Sequence, residues 1–416
     1  MIHFNMQKLV TIVHWFNLLA ALFLTATMMF EFVEVPWGLW PQILFFGSYA
    51  IEFLLDKKWQ EVKWDKTRIY FLMMFLFFAL ALLYYPFDST TYFQTLLERR
   101  YALAGFAFVG FFGVNDKYKL SYFLNLFVIT ALLVIAYLLF VGIGVSEFFS
   151  SDQKINLFNT TRTTFVNQHM GFNLFVDLAL LAIWYLLKTS WRFLPMWQRV
   201  TYLLSAAVFL TCLLISEGRA GFLITIVLVY VIVAFEVWKR FSKWGLLVAL
   251  GLLLLAIPFA YQHQRIHDKR ILDDPRVFLW KSAWTVIEEK PLLGHGISRA
   301  QERFNVERER NQTAVFAYEV KTKWANIIID SHNQVTQTGM EFGLLGVCLL
   351  FYLWLAPLYM VDKKRRLFTF LIILLYINQS MFNPFITGHS SVFFGIMTLL
   401  LLRIPNNLIY PKNSFK

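Results

Sequence analysis

A chain of 416 residues, 58% hydrophobic, 19% aromatic and only 15% charged, cannot clothe itself in a water-facing surface, for which soluble domains use about 25% charged residues. Its net charge of +12 at pH 7 is accounted for by basic loops on one side of a membrane, which sets nucleic-acid binding aside. Both cysteines, Cys212 and Cys348, lie inside apolar runs, so no disulfide framework is expected.

The apolar residues come in unbroken runs of about twenty, the length that crosses a hydrocarbon core as a helix. Backbone groups in lipid have no water to bond, and continuous rather than alternating runs point to helices, not a barrel. In chain order the runs lie near residues 9–30, 37–55, 69–86, 94–114, 120–145, 169–187, 200–216, 220–238, 244–261, 335–361, 367–384 and 389–404. The first lacks a small-residue cleavage site after it and is read as a retained span rather than a signal peptide. The fourth is the weakest, because Glu98, Arg99 and Arg100 leave a short apolar core after them. The expectation is an all-α polytopic membrane protein of about 12 transmembrane helices, with one large, partly helical loop outside the membrane.

Orientation follows from the short loops. Lys57, Lys58, Lys63, Lys66 and Arg68 follow the second run, and Lys117 and Lys119 the fourth. Lys188, Arg192 and Arg199 follow the sixth, Lys239, Arg240 and Lys243 the eighth, and Lys363, Lys364, Arg365 and Arg366 the tenth. All fall on one side, together with both termini, and the excess of Lys and Arg makes that side the cytoplasm.

The long loop, from about Tyr261 to Asp330, then lies outside. Asp274 followed by Pro275 predicts a helix start, with Asp as cap and Pro at the first helical position. Arg276 to Lys290 is amphipathic, with Trp280 and Trp284 four apart on one face, and Pro291 stops it. Ser298 to Arg310 alternates charge signs at helical spacing and predicts a second, more solvated helix.

Few ionisable residues lie deep in the runs; Asp177 is the clearest, with Glu52 nearer an end. That scarcity speaks against an ion-coupled pump. Three helix starts on the outer side carry the candidate chemistry. Ser331, with Gln334 three residues on, has capping-box spacing and would put His332 in the first turn of the tenth span. Ser216-Glu217-Gly218-Arg219 makes a tight outer turn that places Arg219 at the start of the eighth, and Arg276 falls in the first turn of the loop helix. Helix starts bind anions, and two guanidinium groups there suit a phosphate or pyrophosphate. The same position would keep His332 neutral, able to accept a proton from an attacking hydroxyl.

Each feature has an ordinary explanation beside the functional one. An outer-face arginine often anchors a lipid headgroup, and Ser-x-x-Gln is a common cap. Asp273-Asp274 is explained by capping, and no cluster has zinc-ligand spacing. Gly294-His295-Gly296 is most simply a turn, and His263, His267 and His389 are less well placed than His332.

These residues carry a family resemblance. Ser216-Glu217-Gly218-Arg219-Ala220-Gly221 is similar to the Ser-x-x-Arg-small-small turn of the O-antigen ligase and polymerase family, with Glu217-Gly218 where relatives often have a small hydroxyl residue. Arg276, Trp280 and Pro291-Leu292-Leu293-Gly294-His295-Gly296 resemble that family's periplasmic-loop series. Ser331-His332-Asn333 followed by Thr338-Gly339-Met340-Glu341-Phe342-Gly343-Leu344-Leu345-Gly346 resembles its loop-exit motif. Arg162 to Asn167 is fainter, with Thr where the upstream pattern has Gly. The similarity covers about residues 160 to 350.

The resemblance implies glycan transfer from undecaprenyl pyrophosphate at the periplasmic face of a bacterial inner membrane, inverting and without a metal or other cofactor. Arg219 and Arg276 would hold the pyrophosphate, His332 would act as base, and Asn333 and Arg162 would support them. Residues 1–260 would hold spans one to nine, 261–331 the large periplasmic loop, and 332–416 spans ten to twelve with a short cytoplasmic tail. The leading reading is an O-antigen ligase with a lipid A–core acceptor, in contact with membrane lipid. An O-antigen polymerase sharing the donor site is the nearest alternative. A protein O-oligosaccharyltransferase usually carries a longer C-terminal region, and a lipid-linked glycan flippase needs a polar path through the bilayer.

Overall fold

The computed structural model describes residues 6–30, 39–84, 93–137, 139–140, 169–215, 219–241, 247, 251, 275–323, 328–382, 384 and 389–404. Among these the chain is all-α. The first half forms α1 (Met6–Phe30), α2 (Trp40–Leu55), α3 (Lys66–Leu83), α4 (Phe93–Glu98), α5 (Tyr101–Phe112), α6 (Leu120–Tyr137), α7 (His169–Ser190), α8 (Met196–Ile215) and α9 (Arg219–Phe241). The loop contributes α10 (Pro275–Glu289), α11 (Ile297–Asn311) and α12 (Ala314–Lys323), and the chain continues with α13 (Gln334–Met360), α14 (Arg366–Ser380) and α15 (His389–Leu402).

A helix stands on every predicted apolar run except the ninth, 244–261, which lies outside the described residues apart from Leu247 and Gly251. Among the described residues, six helices are long and apolar enough to cross a membrane unaided: α1, α3, α6, α7, α8 and α13. The fourth run is broken at Arg99 and Arg100 into α4 and α5, as its charges foreshadow. The chain is therefore an all-α, polytopic membrane protein.

Polar contacts distinguish the two ends of the bundle. At one, His14 Nε2 lies 2.8 Å from Asp56 Oδ2, Lys58 pairs with Glu52, and Arg403 donates to the Gly110 and Phe111 carbonyls at 2.5 and 3.0 Å. Tyr202 donates to Asn125 at 2.5 Å, Lys188 pairs with Glu236, and Arg365 donates to the Ile404 carbonyl at 2.6 Å. This end gathers the ends of α2, α5, α7, α9 and α15 and the starts of α1, α6, α8 and α14. The basic short loops meet here, as their spacing predicts.

At the opposite end, Tyr84 just past α3 donates to the Leu293 carbonyl, Arg100 pairs with Glu341, and Asn333 lies 3.8 Å from Met381 Sδ. The loop helices dock here. Leu279, Ala283 and Val286 of α10 form one buried stripe against Ala300 and Phe304 of α11 and Met340 of α13. The tryptophans do not define that face: Trp284 is 59% exposed. The 279–283–286 spacing selects smaller side chains that let the helices approach closely. The two loop helices lie where the sequence places them, and Pro275 is the first residue of α10. The Asp274 cap lies outside the described residues. α12 was not foreseen; it docks through Phe316, whose ring sits 4.8 Å from that of Phe278.

Candidate active site at the loop end of the bundle

The chain enters α13 through a turn that differs from the predicted capping box. Asn333, not Ser331, is the cap: its Oδ1 accepts from the amides of Val335 and Thr336 at 2.8 and 3.2 Å. His332 therefore stands just ahead of the helix rather than in its first turn. The capping-box pattern matched, but the helix begins two residues later, where the Asn333 amide oxygen reaches the orphan N–H groups of Val335 and Thr336. The Ser331 hydroxyl instead donates to the Asn333 carbonyl at 3.0 Å and accepts from Thr336 at 2.9 Å.

His332 is held in an unusual way. Its φ is +50°, in the left-handed region that costs a non-glycine residue free energy. The compensating contact is local: the His332 amide donates to Asp330 Oδ1 at 2.9 Å, closing a turn around the side chain. The same carboxylate oxygen lies 3.7 Å from His332 Nδ1, which is shielded from solvent, while the imidazole as a whole is 41% exposed. Nε2 is thus on the open side. A ring with one nitrogen facing a carboxylate and the other open is the arrangement of an oriented general base. Asp330 was missed from sequence; its signal was an Asp two residues ahead of His in a turn.

Behind this turn runs a buried polar chain. The Ser331 amide donates to Gln337 Oε1 at 3.3 Å, and Gln337 Nε2 donates to Glu341 Oε1 at 2.8 Å. Arg100 Nη2 then reaches both Glu341 oxygens at 2.6 and 2.7 Å. Both members of this ion pair are essentially out of contact with solvent. Arg100 comes from the break in the fourth run, and its guanidinium lies 5.6 Å from the Phe342 ring.

Two glycines lock the loop to α13. Gly294 and Gly343 have φ of +72° and +60°, and a Cβ on Gly294 would lie 2.5 Å from the Glu341 carbonyl, one on Gly343 2.4 Å from Leu292 C. This close approach allows backbone bonds from His295 to Met340 and Gly296 to Glu341, both 2.9 Å, and from Leu344 to Pro291 at 2.8 Å. The Gly-His-Gly stretch is therefore more than a free turn: it is a strap hydrogen-bonded to the opened first turns of α13. His295 itself is structural, buried with Nε2 3.1 Å from the Val286 carbonyl, and burial pushes its pKa below the ordinary value.

The candidate arginines fall at this same end. Arg276, in the first turn of α10, lies 5.3 Å above the Phe382 ring. Phe382 adjoins Met381, the residue that Asn333 touches, so Arg276 and His332 flank the end of α14. Arg219 is the first residue of α9. Because α9 ends beside α7 at the basic end of the bundle, its 23 residues, about 34 Å of helix, carry Arg219 to the loop end. Arg162, His263, His267 and Asp273 lie outside the described residues, and His389 begins α15. The His14, Glu52 and Asp56 group, close enough to hold a cation, is at the other end, where Lys58 and Asn115 already satisfy Glu52.

Residues 204–351 match the family model described as O-antigen ligase. This segment contains Arg219, Arg276, Asp330, His332 and Glu341, and it begins in α8 and ends in α13. No curated protein matches the chain. With its apolar helices the chain is a multi-pass membrane protein, and its residues 204–351 are similar to the O-antigen ligase family, which supports a ligase- or polymerase-type, glycosyltransferase-like activity in O-antigen assembly.

Proposed function

We propose that the protein is an O-antigen ligase, moving a glycan from undecaprenyl pyrophosphate to the lipid A–core at the periplasmic face of a bacterial inner membrane. The observation that supports the reading is an open imidazole beside a carboxylate at the loop end of the bundle, the end at which the helices headed by Arg219 and Arg276 also begin. Arg219 and Arg276 bind the pyrophosphate, whose leaving depends on stabilising the charge that develops on it. His332 Nε2 accepts the proton of the acceptor hydroxyl. That oxygen attacks the anomeric carbon from the face opposite the pyrophosphate, and the carbon–oxygen bond to the carrier breaks, inverting the centre. The bonding pair leaves with undecaprenyl pyrophosphate. Asp330 keeps Nδ1 oriented and stabilises the imidazolium, while Asn333 fixes the turn. The basic loops and both termini are cytoplasmic.

The test is the lipopolysaccharide of a strain lacking the gene. Core alone, with polymeric glycan retained on the lipid carrier, is the expected result. Core bearing one repeat would assign a polymerase instead, and an unchanged ladder would overturn both.

A further inference from the structure

At the basic end of the bundle, far from the proposed active site, α6, α7 and α8 enclose a cavity of about 400 Å³, within the range of small-molecule sites. Its walls are graded. Ser121 and Asn125 of α6 and Gln198 and Thr201 of α8 line the part nearest the loops, whereas Ile129 and Leu132 line the part deeper in the bundle. From Ser121 to Leu132 is eleven residues, about 16 Å of helix, roughly half of a 30 Å hydrocarbon core. The depth is that of one leaflet.

The polar part is not self-contained. Tyr202 and Asn125 bond each other and Asn125 bonds the Ser121 carbonyl at 2.7 Å, but Ser121 Oγ is buried with no partner among the described residues. Trp197 on the lining and Trp191 and Phe193 in the adjoining turn are all substantially exposed, the marks of a membrane interface. Arg199 stacks 5.0 Å over Trp191, and Arg192 is exposed in the turn between α7 and α8. At the deep end, Ile129 is 54% exposed, so the cavity opens sideways into the acyl region.

We propose that this cavity is a binding site for one anionic glycerophospholipid of the adjoining leaflet. Its phosphate faces Arg192, its glycerol and ester oxygens meet Ser121 and Gln198, and one acyl chain lies along Ile129 and Leu132. Hydroxyl and amide groups of the uncharged lining match the ester region, and Arg192, exposed in the turn that adjoins the cavity, supplies the charge that favours a negative headgroup. Neutral polar groups deeper in the cavity are already used within their own helix, as Ser205 is by the Thr201 carbonyl at 2.8 Å, so they do not oppose a hydrocarbon tail.

The experiment reconstitutes the full chain in phosphatidylcholine vesicles doped with photoactivatable phosphatidylglycerol and maps the labelled peptides. Label is expected on α6 and α8 at the cavity, displaced by unlabelled phosphatidylglycerol. Ile129→Trp, which fills the cavity from its lipid-exposed wall, should abolish that label while leaving label elsewhere on the protein. Ser121→Ala, which removes only the hydroxyl, should weaken it without disturbing the helices. Arg192→Gln should reduce the preference for phosphatidylglycerol over a phosphatidylcholine probe about fivefold, the effect of one arginine near an anionic surface. Equal labelling by the two lipids, or label that persists in Ile129→Trp, would mean bulk lipid only and overturn the proposal.

Discussion

Arg100 and Glu341, 241 positions apart in sequence, meet as a buried ion pair in which a single guanidinium nitrogen serves both carboxylate oxygens. Arg100 Nε and Nη1 are left without partners among the described residues. A charge pair taken out of water is weak evidence for stability, because desolvation offsets most of the attraction. Its placement says more: it ties the break between α4 and α5 to the helix that follows His332, through Gln337 and the Ser331 amide.

Breaking one partner should therefore be severe. Arg100→Gln or Glu341→Gln is expected to destabilise the protein by about 3–5 kcal/mol, since the remaining charge is buried alone. Thermal unfolding in detergent measures it. The paired apolar variant Arg100→Met with Glu341→Leu should recover most of the stability. It should not recover turnover, because Gln337 loses its acceptor and the turn holding His332 is released. A double variant with full glycan transfer would reduce the chain to a structural clamp.

The strap makes a second prediction. Gly343→Ala and Gly294→Ala each impose a Cβ about 2.5 Å from backbone atoms at a left-handed φ, and backbone cannot step aside as a flexible side chain can. A loss above about 2 kcal/mol is expected, more than the usual penalty for a misplaced alanine. Limited proteolysis should show the 291–296 segment cut faster. Gly47→Ala is the control, with nothing near its added Cβ.

Much of this was legible beforehand because it rests on local rules. Hydropathy marked the spans, and Asp-Pro and charge alternation marked α10 and α11. What escaped depends on contacts distant in sequence. Arg100 looked like a defect in a span until Glu341 supplied its partner. Trp280 and Trp284 marked one face of an amphipathic helix, but it is packing against Phe304 and Met340 that sets the buried stripe, at Leu279, Ala283 and Val286. The Ser331 capping box was a sound pattern displaced by a cap two residues on, and the Asp two residues ahead of His332 gains its meaning only from the turn that folds it back on the ring.

Acid should loosen the loop. Burial lowers the His295 pKa below 6.5, with the Val286 carbonyl opposing the shift, so the undocked loop binds the proton more readily than the docked one. The stabilisation is fully present above about pH 6.5 and is lost as pH falls through the lower folded value. Hydrogen exchange of α10 and the strap should accelerate between about pH 7 and pH 5. His295→Gln should flatten that dependence; an unchanged profile would show that His295 is not its source.

The arginines should not tolerate lysine. Arg219→Lys and Arg276→Lys keep the charge but lose the planar fork that engages a pyrophosphate in two bonds. Each is expected to lower kcat/KM roughly 10- to 100-fold, the worth of a charge-assisted hydrogen bond of about 1.5–3 kcal/mol. Arg276→Lys should also weaken the contact with Phe382. Transfer of glycan from a purified lipid-linked donor at graded concentrations measures both, and wild-type kinetics in either variant would remove it from the donor site.

His332 and Asp330 should act as one unit. His332→Ala is expected to lower kcat about 10²- to 10⁴-fold, the usual contribution of a positioned base. Asp330→Asn keeps a turn-forming acceptor for the His332 amide but removes the charge 3.7 Å from Nδ1, so it should lower kcat with little change in KM. The double variant should be no slower than His332→Ala alone, because an orienting group has nothing to orient once the imidazole is gone. Additive losses would mean that Asp330 acts elsewhere, on the fold of the turn or on the acceptor itself.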